Sequence, residues 1–553
     1  MEERDSGRYS LFDNVIRKLD LLSSNRKIST AVYSIGIALF FGLVLLPPIV
    51  GILLKLDKIG LVLQDAALLA RAQSAILWSF IVAFLVAAAD LVAGIPLAWF
   101  IVRTRSQWAN ILDTLADIPF IIPTVALGFS IRLFWSESNP LASSTFAGFS
   151  ISPGLILVLL LHFAFSYPVV VRVMVGELLS YKHTYEIAAR TLGAEPFTAV
   201  RTITLPILRP AIIAAYLLSF SRSLSETGAT VIVAGRFENG PVFIRNALDS
   251  GLEGPMVLVS TLLIVTSVLT FAIISLVAPK IRLPITRVWP DTERKLSEPA
   301  AVSSRNFLTL AVFLLLVLLP SLFVALPSIQ SIFDGTIGAA ISGGGPWYNY
   351  WRSMILTYTI AAIVTVVNMV LGMPMAILIG RRRLGTTLTS MIDTMVNVPI
   401  VVPSVALGVS LGLFWRALGI LPEFWVLVFA HMTITYTYFV RAMSAAVESI
   451  PTYYEEAART LGARPFAVFR RVVLPLTKYS LLSGAIMTFT RSVDETGAAT
   501  AVARDLKTAP VLLVDWVKGV VPVSETTLAL GIGFLVATSF LALLALRIVT
   551  RRR

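Results

Sequence analysis

Apolar residues in this chain gather into blocks of about 20 or more, separated by short polar stretches, the length needed for a helix to cross a bilayer. Twelve such blocks lie near 29–53, 74–102, 112–135, 153–178, 207–234 and 256–279, then 306–328, 355–380, 392–416, 424–446, 477–501 and 525–547. The pattern predicts an all-α integral membrane protein of about twelve transmembrane helices. A charged, Pro-containing stretch at 281–305, with Arg282, Arg287, Arg294 and Lys295, separates the sixth block from the seventh. It divides the chain into a first half (1–280), a linker (281–305) and a second half (306–553).

The halves repeat each other. Leu112, Asp113, Thr114, Pro119, Pro123 and Gly128 are answered at an offset of 280 by Ile392, Asp393, Thr394, Pro399, Pro403 and Gly408. From the fourth block the offset is 269, so that His162, Tyr167 and Arg172 answer His431, Tyr436 and Arg441. The eleven-residue difference falls in the loop after Trp135, where length is tolerated. An even number of spans per half inserts both halves the same way up, as parallel repeats related by an axis along the membrane normal, with a pathway at their interface.

Basic residues orient the chain. Arg4, Arg8, Arg17, Lys18, Arg26 and Lys27 precede the first span, Arg103 and Arg105 follow the second, and Arg381, Arg382 and Arg383 follow the eighth. Arg547 and Arg551 to Arg553 close the chain. With twelve alternating crossings these fall on one face, which the positive-inside rule makes cytoplasmic, both termini included. The loop 136–151, without Lys or Arg, falls on the other. The net charge of +13 is thereby explained without nucleic acid, because it is scattered over many short loops. The polar N-terminus does not resemble a cleavable signal peptide. With 56% hydrophobic and 14% charged residues and a mean hydropathy of +0.83, a multi-pass location in the cell (inner) membrane follows, with lipid as its surroundings. Cysteine is absent, which excludes disulfides and thiolate metal sites.

Two polar islands interrupt this apolar chain on the basic face. Tyr-Glu-Ile-Ala-Ala-Arg-Thr-Leu-Gly occupies 185–193 and runs on to Leu205 and Pro206. Tyr-Glu-Glu-Ala-Ala-Arg-Thr-Leu-Gly occupies 454–462 and runs on to Leu474 and Pro475. Each reads as two short helices joined at the glycine, with Ala side chains small enough for close approach of a partner. Both resemble the coupling-loop motif of binding-protein-dependent ABC importer permeases: E-A-A, three residues, Gly, nine residues, I-x-L-P. Glu456, Ala457, Ala458, Gly462, Val472, Leu474 and Pro475 match it, with Val for Ile, and Glu455 precedes them. In the first half Ala188, Ala189, Gly193, Ile203, Leu205 and Pro206 match, Ile187 takes the glutamate position, and Glu186 stands one residue earlier. Spans and motif recur in both halves, so the chain resembles the fused double permeases of the iron(III), thiamine, polyamine and oxyanion importer group. The resemblance implies a type I importer permease fold, with coupling loops at 181–206 and 450–475. It implies two cytoplasmic ATP-binding subunits, an external solute-binding protein, and a small molecule or ion as cargo. The chain lacks a Gly-x-x-x-x-Gly-Lys-Ser/Thr phosphate loop, so ATP hydrolysis is expected on the separate subunits. The chain itself is expected to be no enzyme and to hold no cofactor.

A second constellation lies within the fifth and eleventh spans. Arg222, Glu226 and Gly228 answer Arg491, Glu495 and Gly497. Arg and Glu four apart share a helix face and can pair. Charges at bilayer depth cost about 2.5–3.5 kcal/mol each on insertion scales unless they face an interior or water. These helices are therefore expected to turn that face to the pathway, although an ion-pair clasp between the halves is the simpler alternative. His162 and His431 lack carboxylate or Cys partners at ligand spacing, so no metal site is expected. Asp113 and Asp393 read as N-terminal caps, and the paired prolines of the third and ninth spans as kinks. An ion-gradient-driven secondary transporter with parallel repeats is the alternative function, but it does not need duplicated islands. A membrane-embedded enzyme lacks a nucleophile–base set.

Overall fold

A computed structural model describes residues 11–104, 107–135, 151–277, 280 and 289–551. Arg4, Arg8, Arg105, Arg282, Arg287, Arg552, Arg553 and nearly all of the loop 136–151 lie outside the described residues. Among the described residues, nine helices are long and apolar enough to cross a membrane, and two bent helix pairs raise the number to eleven. The tenth expected span is the 27-residue helix Glu423–Ser449, in which His431, Thr433, Thr435 and Thr437 lower the hydropathy. It packs along Pro346–Gly380 as Leu155–Ser180 packs along Ala66–Arg103.

Four of the twelve expected spans are not continuous helices. In the third, Gln107–Ile121 meets Thr124–Trp135 at 104°, and in the ninth, Thr386–Val401 meets Ser404–Leu418 at 103°. These are turns of just over a right angle rather than kinks. The residue before a proline is pushed out of the helical region by the ring, and Ile122 before Pro123 and Val402 before Pro403 have ψ of 127° and 135°. The fifth span stops at Ser225 and resumes as Gly228–Val233; the eleventh stops at Val493 and resumes as Gly497–Val502.

Prolines also widen four helical turns, at Phe40–Leu45, Val200–Thr204, Phe313–Leu318 and Phe469–Val473. Each lies just before Pro47, Pro206, Pro320 or Pro475. A proline ring crowds the carbonyl four residues back and supplies no N–H, so the turn opens to a longer hydrogen-bond spacing.

The first span of each half lies on the other half. Gly51 in Thr30–Lys58 abuts the Ser410 carbonyl so closely that a Cβ would collide with it, and the Thr433 hydroxyl donates to the Leu43 carbonyl at 3.3 Å. Reciprocally, in Pro299–Phe333, Val324 N–H donates to Ser130 Oγ (2.8 Å) and the Ser130 hydroxyl donates to the Pro320 carbonyl (2.7 Å). The molecule is therefore two interlocked bodies.

On the face opposite the two motif loops, a buried charge cluster joins the bodies. Arg245 pairs with Asp515 at 2.8 Å and with Asp249 at 2.9 Å, and Lys507 reaches Asp515 at 2.7 Å. The Arg245 and Asp515 side chains are 7% and 4% exposed. Removing one member of such a pair leaves a charge stranded, typically at about 3–5 kcal/mol. Asp515→Ala is thus expected to lower the unfolding midpoint of the detergent-purified protein clearly. The double change Arg245→Met with Asp515→Leu should recover most of the loss.

Candidate functional site

Each motif loop begins with an eight-residue helix, Thr184–Thr191 or Tyr453–Thr460. Both end in the same way. Gly193 N–H donates to the Arg190 carbonyl (3.0 Å) and Ala194 N–H to the Ala189 carbonyl (3.1 Å). Gly462 N–H and Ala463 N–H repeat this to Arg459 (2.9 Å) and Ala458 (3.0 Å). This double closure needs a left-handed residue after the helix, and Gly193 and Gly462 have φ of +92° and +83°. Pro196 and Pro465 then start the second short helix, which widens by one turn and becomes the membrane helix at Leu205 or Leu474.

The conformation sorts the motif residues into two sets. Ile187, Ala188 and Gly193 are exposed in the first loop, and Glu456, Ala457 and Gly462 in the second. Ala189 and Ala458 are half-buried. Glu186 and Glu455 point the other way. Glu186 pairs with Arg103, and Glu455 with Arg381, both at 2.7 Å, so each carboxylate ties its loop to the end of the second long helix of its own half. They are tethers rather than members of the exposed face. Leu192 and Leu461, not singled out from the sequence, are 90% and 88% exposed. Their signal was present, because an apolar residue before the glycine recurs in both islands.

The helix breaks form the second constellation. Glu226 Oε1 accepts from Ala229 N–H (3.1 Å) and Glu495 Oε1 from Ala498 N–H (2.8 Å), so each carboxylate caps the short helix that restarts beyond the break. Asp494 Oδ1 accepts from Thr124 N–H at 2.6 Å, a cap that crosses between the halves. The corresponding position in the first half is Ser225, whose carbonyl lies 3.5 Å from Ser404 Oγ. A Cβ on Gly228 would lie 2.7 Å from Thr496 Cβ, and one on Gly497 would lie 3.0 Å from Thr227 Oγ1. The two breaks thus abut across the interface with no room for a side chain.

The expected Arg–Glu pairing holds for one half only. Arg491 pairs with Glu495 at 2.7 Å. Arg222 instead donates to the Phe165 carbonyl (3.2 Å), with its guanidinium over the Phe120 and Phe165 rings. Both halves share the break, so the difference lies in the partners: Arg222 turns to the aromatic rings while Glu226 turns to its cap. Arg222, Arg491 and Asp494 line a cavity between the halves, with Thr490, Tyr438 and Phe489, while Glu226 and Glu495 serve the caps above it.

Other candidates resolve into packing. His162 bonds Ser223 Oγ (2.8 Å) and Thr230 Oγ1 (2.9 Å), and His431 bonds Ser492 Oγ (3.0 Å), so both hold a broken helix in place. Asp113 and Asp393 are not caps. Their helices begin earlier, at Gln107 and Thr386, and the carboxylates pair with Arg172 and Arg441 at 2.7 Å each.

Residues 90–283 and 368–553 each match the family of binding-protein-dependent transport system inner membrane components. The chain belongs to this family. The permease is 33% identical over 218 residues to the sulfate transport system permease protein CysT of Salmonella typhimurium, covering 39% of this chain and 78% of that protein. It is 32% identical over 222 residues to the Escherichia coli CysT, with the same coverage. Against the molybdenum transport system permease protein ModB of Mycobacterium tuberculosis it is 32% identical over 143 residues, 26% of this chain and 54% of that protein. The permease is a multi-pass inner-membrane protein carrying the family domain twice, a fused double permease of an ABC importer.

The contact between breaks supplies a test. Gly228→Val overpacks the interface, which typically costs about 1–3 kcal/mol, so a lower unfolding midpoint is expected. Adding Thr496→Gly, which removes the opposing Cβ, should restore part of it.

Proposed function

We propose that this permease forms both halves of the pathway of an ATP-driven importer for a tetrahedral oxyanion such as sulfate or molybdate. An external binding protein delivers the anion. Two cytoplasmic ATPase subunits seat on the motif loops, Ile187, Ala188, Leu192 and Gly193 facing one subunit and Glu456, Ala457, Leu461 and Gly462 the other. The motif face and both termini are cytoplasmic. Closure of the ATPase pair draws the loops together, and the two interlocked bodies rock about the abutting breaks, exposing the cavity with Arg222 and Arg491 alternately to each side. The observation that carries this reading is the twin helix–glycine–helix loops, one per half, with their small and apolar residues turned outward. The oxyanion assignment draws on the names of the sulfate and molybdenum relatives.

Docking energy at such interfaces concentrates in a few contacts. Gly462→Asp or Glu456→Lys is therefore expected to abolish co-purification of the ATPase subunit and ATP-driven uptake, while the amount of permease in the membrane is unchanged. Normal uptake with either change, or uptake that survives ATP depletion and collapses with an ionophore, would sink the proposal. The cargo is tested on the binding protein alone. Sulfate or molybdate at a hundred times its dissociation constant should stabilise it by about 2.7 kcal/mol, seen as a raised melting midpoint; thiamine, iron(III) and polyamines should leave it unmoved.

A further inference from the structure

The helix leading into each crossed-over span grips a motif loop. In the linker, Pro290–Ser297 packs on Pro196–Ala199, and at the N-terminus Leu11–Ser23 packs on Pro465–Val468. The grips share one device. Pro196 and Pro465 have no N–H to donate, so the first free donors of the short helices are on Phe197 and Phe466. Ser297 Oγ accepts from Phe197 N–H and Ser23 Oγ from Phe466 N–H, both at 3.1 Å. Each serine hydroxyl in turn donates to its own helix, to the Glu293 carbonyl (2.8 Å) and the Asp20 carbonyl (2.9 Å).

There the likeness stops. Glu293, 1% exposed, accepts from the Thr198 hydroxyl at 2.6 Å and pairs with Arg201 at 2.8 Å. By the serine register its N-terminal counterpart is Leu19, which is 41% exposed. Thr198 is answered by Ala467, and Arg201 by Arg470. Arg470 Nε and Asp20 Oδ1 are buried without a hydrogen-bond partner. One loop is thus locked to its grip by a buried carboxylate, whereas the other is held by a serine and apolar contact.

We propose that the linker helix is a brace and Glu293 its positioning residue, fixing the first motif loop to span Pro299–Phe333 so that the two move as one piece. The second loop, without a counterpart to Glu293, swings more freely on its body. The linker is therefore part of the transmission from ATPase to pathway, and the two ATPase sockets differ in stiffness as well as in the exchange of Ile187 for Glu456. This rests on the coupling role assigned above, but the brace itself is measured without any partner.

The first readout is amide hydrogen exchange of the full chain in lipid nanodiscs. Glu293→Ala strands Arg201, so exchange at 197–204 should rise by about tenfold or more while 466–473 stays unchanged. The charge exchange Glu293→Arg with Arg201→Glu should restore protection in part. The second readout is transport per ATP in proteoliposomes containing the permease, its ATPase subunit and its binding protein. Glu293→Ala should keep ATP turnover near normal and lower transport per ATP several-fold, whereas Leu19→Ala should leave both unchanged. Unchanged exchange at 197–204, or equal loosening of both loops, would overturn the brace. Loosened exchange with an unchanged transport ratio would overturn its part in transmission. If the unaltered permease captures no ATPase subunit, the functional assignment falls while the exchange result still decides the brace.

Discussion

A helix that stops inside a bilayer frees backbone donors and acceptors that lipid cannot satisfy. This constraint governs the centre of the permease. Four helices stop there, the third, fifth, ninth and eleventh spans, and three of the four restarts are met by a carboxylate. Glu226 and Glu495 cap the short helices at Ala229 and Ala498, and Asp494 reaches across the interface to Thr124 N–H. The breaks are affordable only against protein, which is why they converge on the contact between halves. There Gly228 and Gly497 let two interrupted backbones touch Thr496 and Thr227. An uninterrupted helix at these positions would need none of these groups.

The same constraint explains what could be read in the sequence. Hydropathy finds apolar length, and duplication finds equivalence, so the spans, the two halves and the twin motif loops were legible. Hydropathy is blind to backbone direction, however, and 207–234 stays apolar through a break that only Glu226 and Gly228 betray. The prolines at 119, 123, 399 and 403 announced a bend but not a turn of more than 100°. Partnerships across long separations carried no local signal. Asp113 looked like a cap because Arg172 is 59 residues away, and Glu186 looked like part of the exposed motif because Arg103 is 83 residues away. The crossing-over of the first spans was invisible for a different reason: an evenly apolar surface says nothing about which half it packs on.

Duplication sets equal geometry, yet the chemistry has drifted apart within it. Asp494 caps where Ser225 cannot, Arg491 finds its glutamate where Arg222 rests on aromatic rings, and Asp90 accepts from Ser166 and Ser219 where Asn368 donates to Thr435. In a dimer of identical permeases each such change would appear twice. Fusion removes that restriction, because each half is free to specialise while the backbone pairing of the breaks is kept.

The restriction removed by fusion is replaced by a new one, since the chain must return to start its seventh span. In this permease the return does more than connect. The helix Pro290–Ser297 occupies the place that Leu11–Ser23 occupies on the other body, with the same serine on the same phenylalanine N–H. A tether free of structure would have satisfied connectivity alone. A helix whose buried carboxylate holds Thr198 and Arg201 instead fixes the loop from within the chain, and a loop fixed in advance has less ordering entropy to lose in any contact it makes. The first loop is thereby the better preorganised of the two. The second, with exposed Glu456, has no counterpart to Glu293 in its grip, only a serine hydrogen bond and apolar contact.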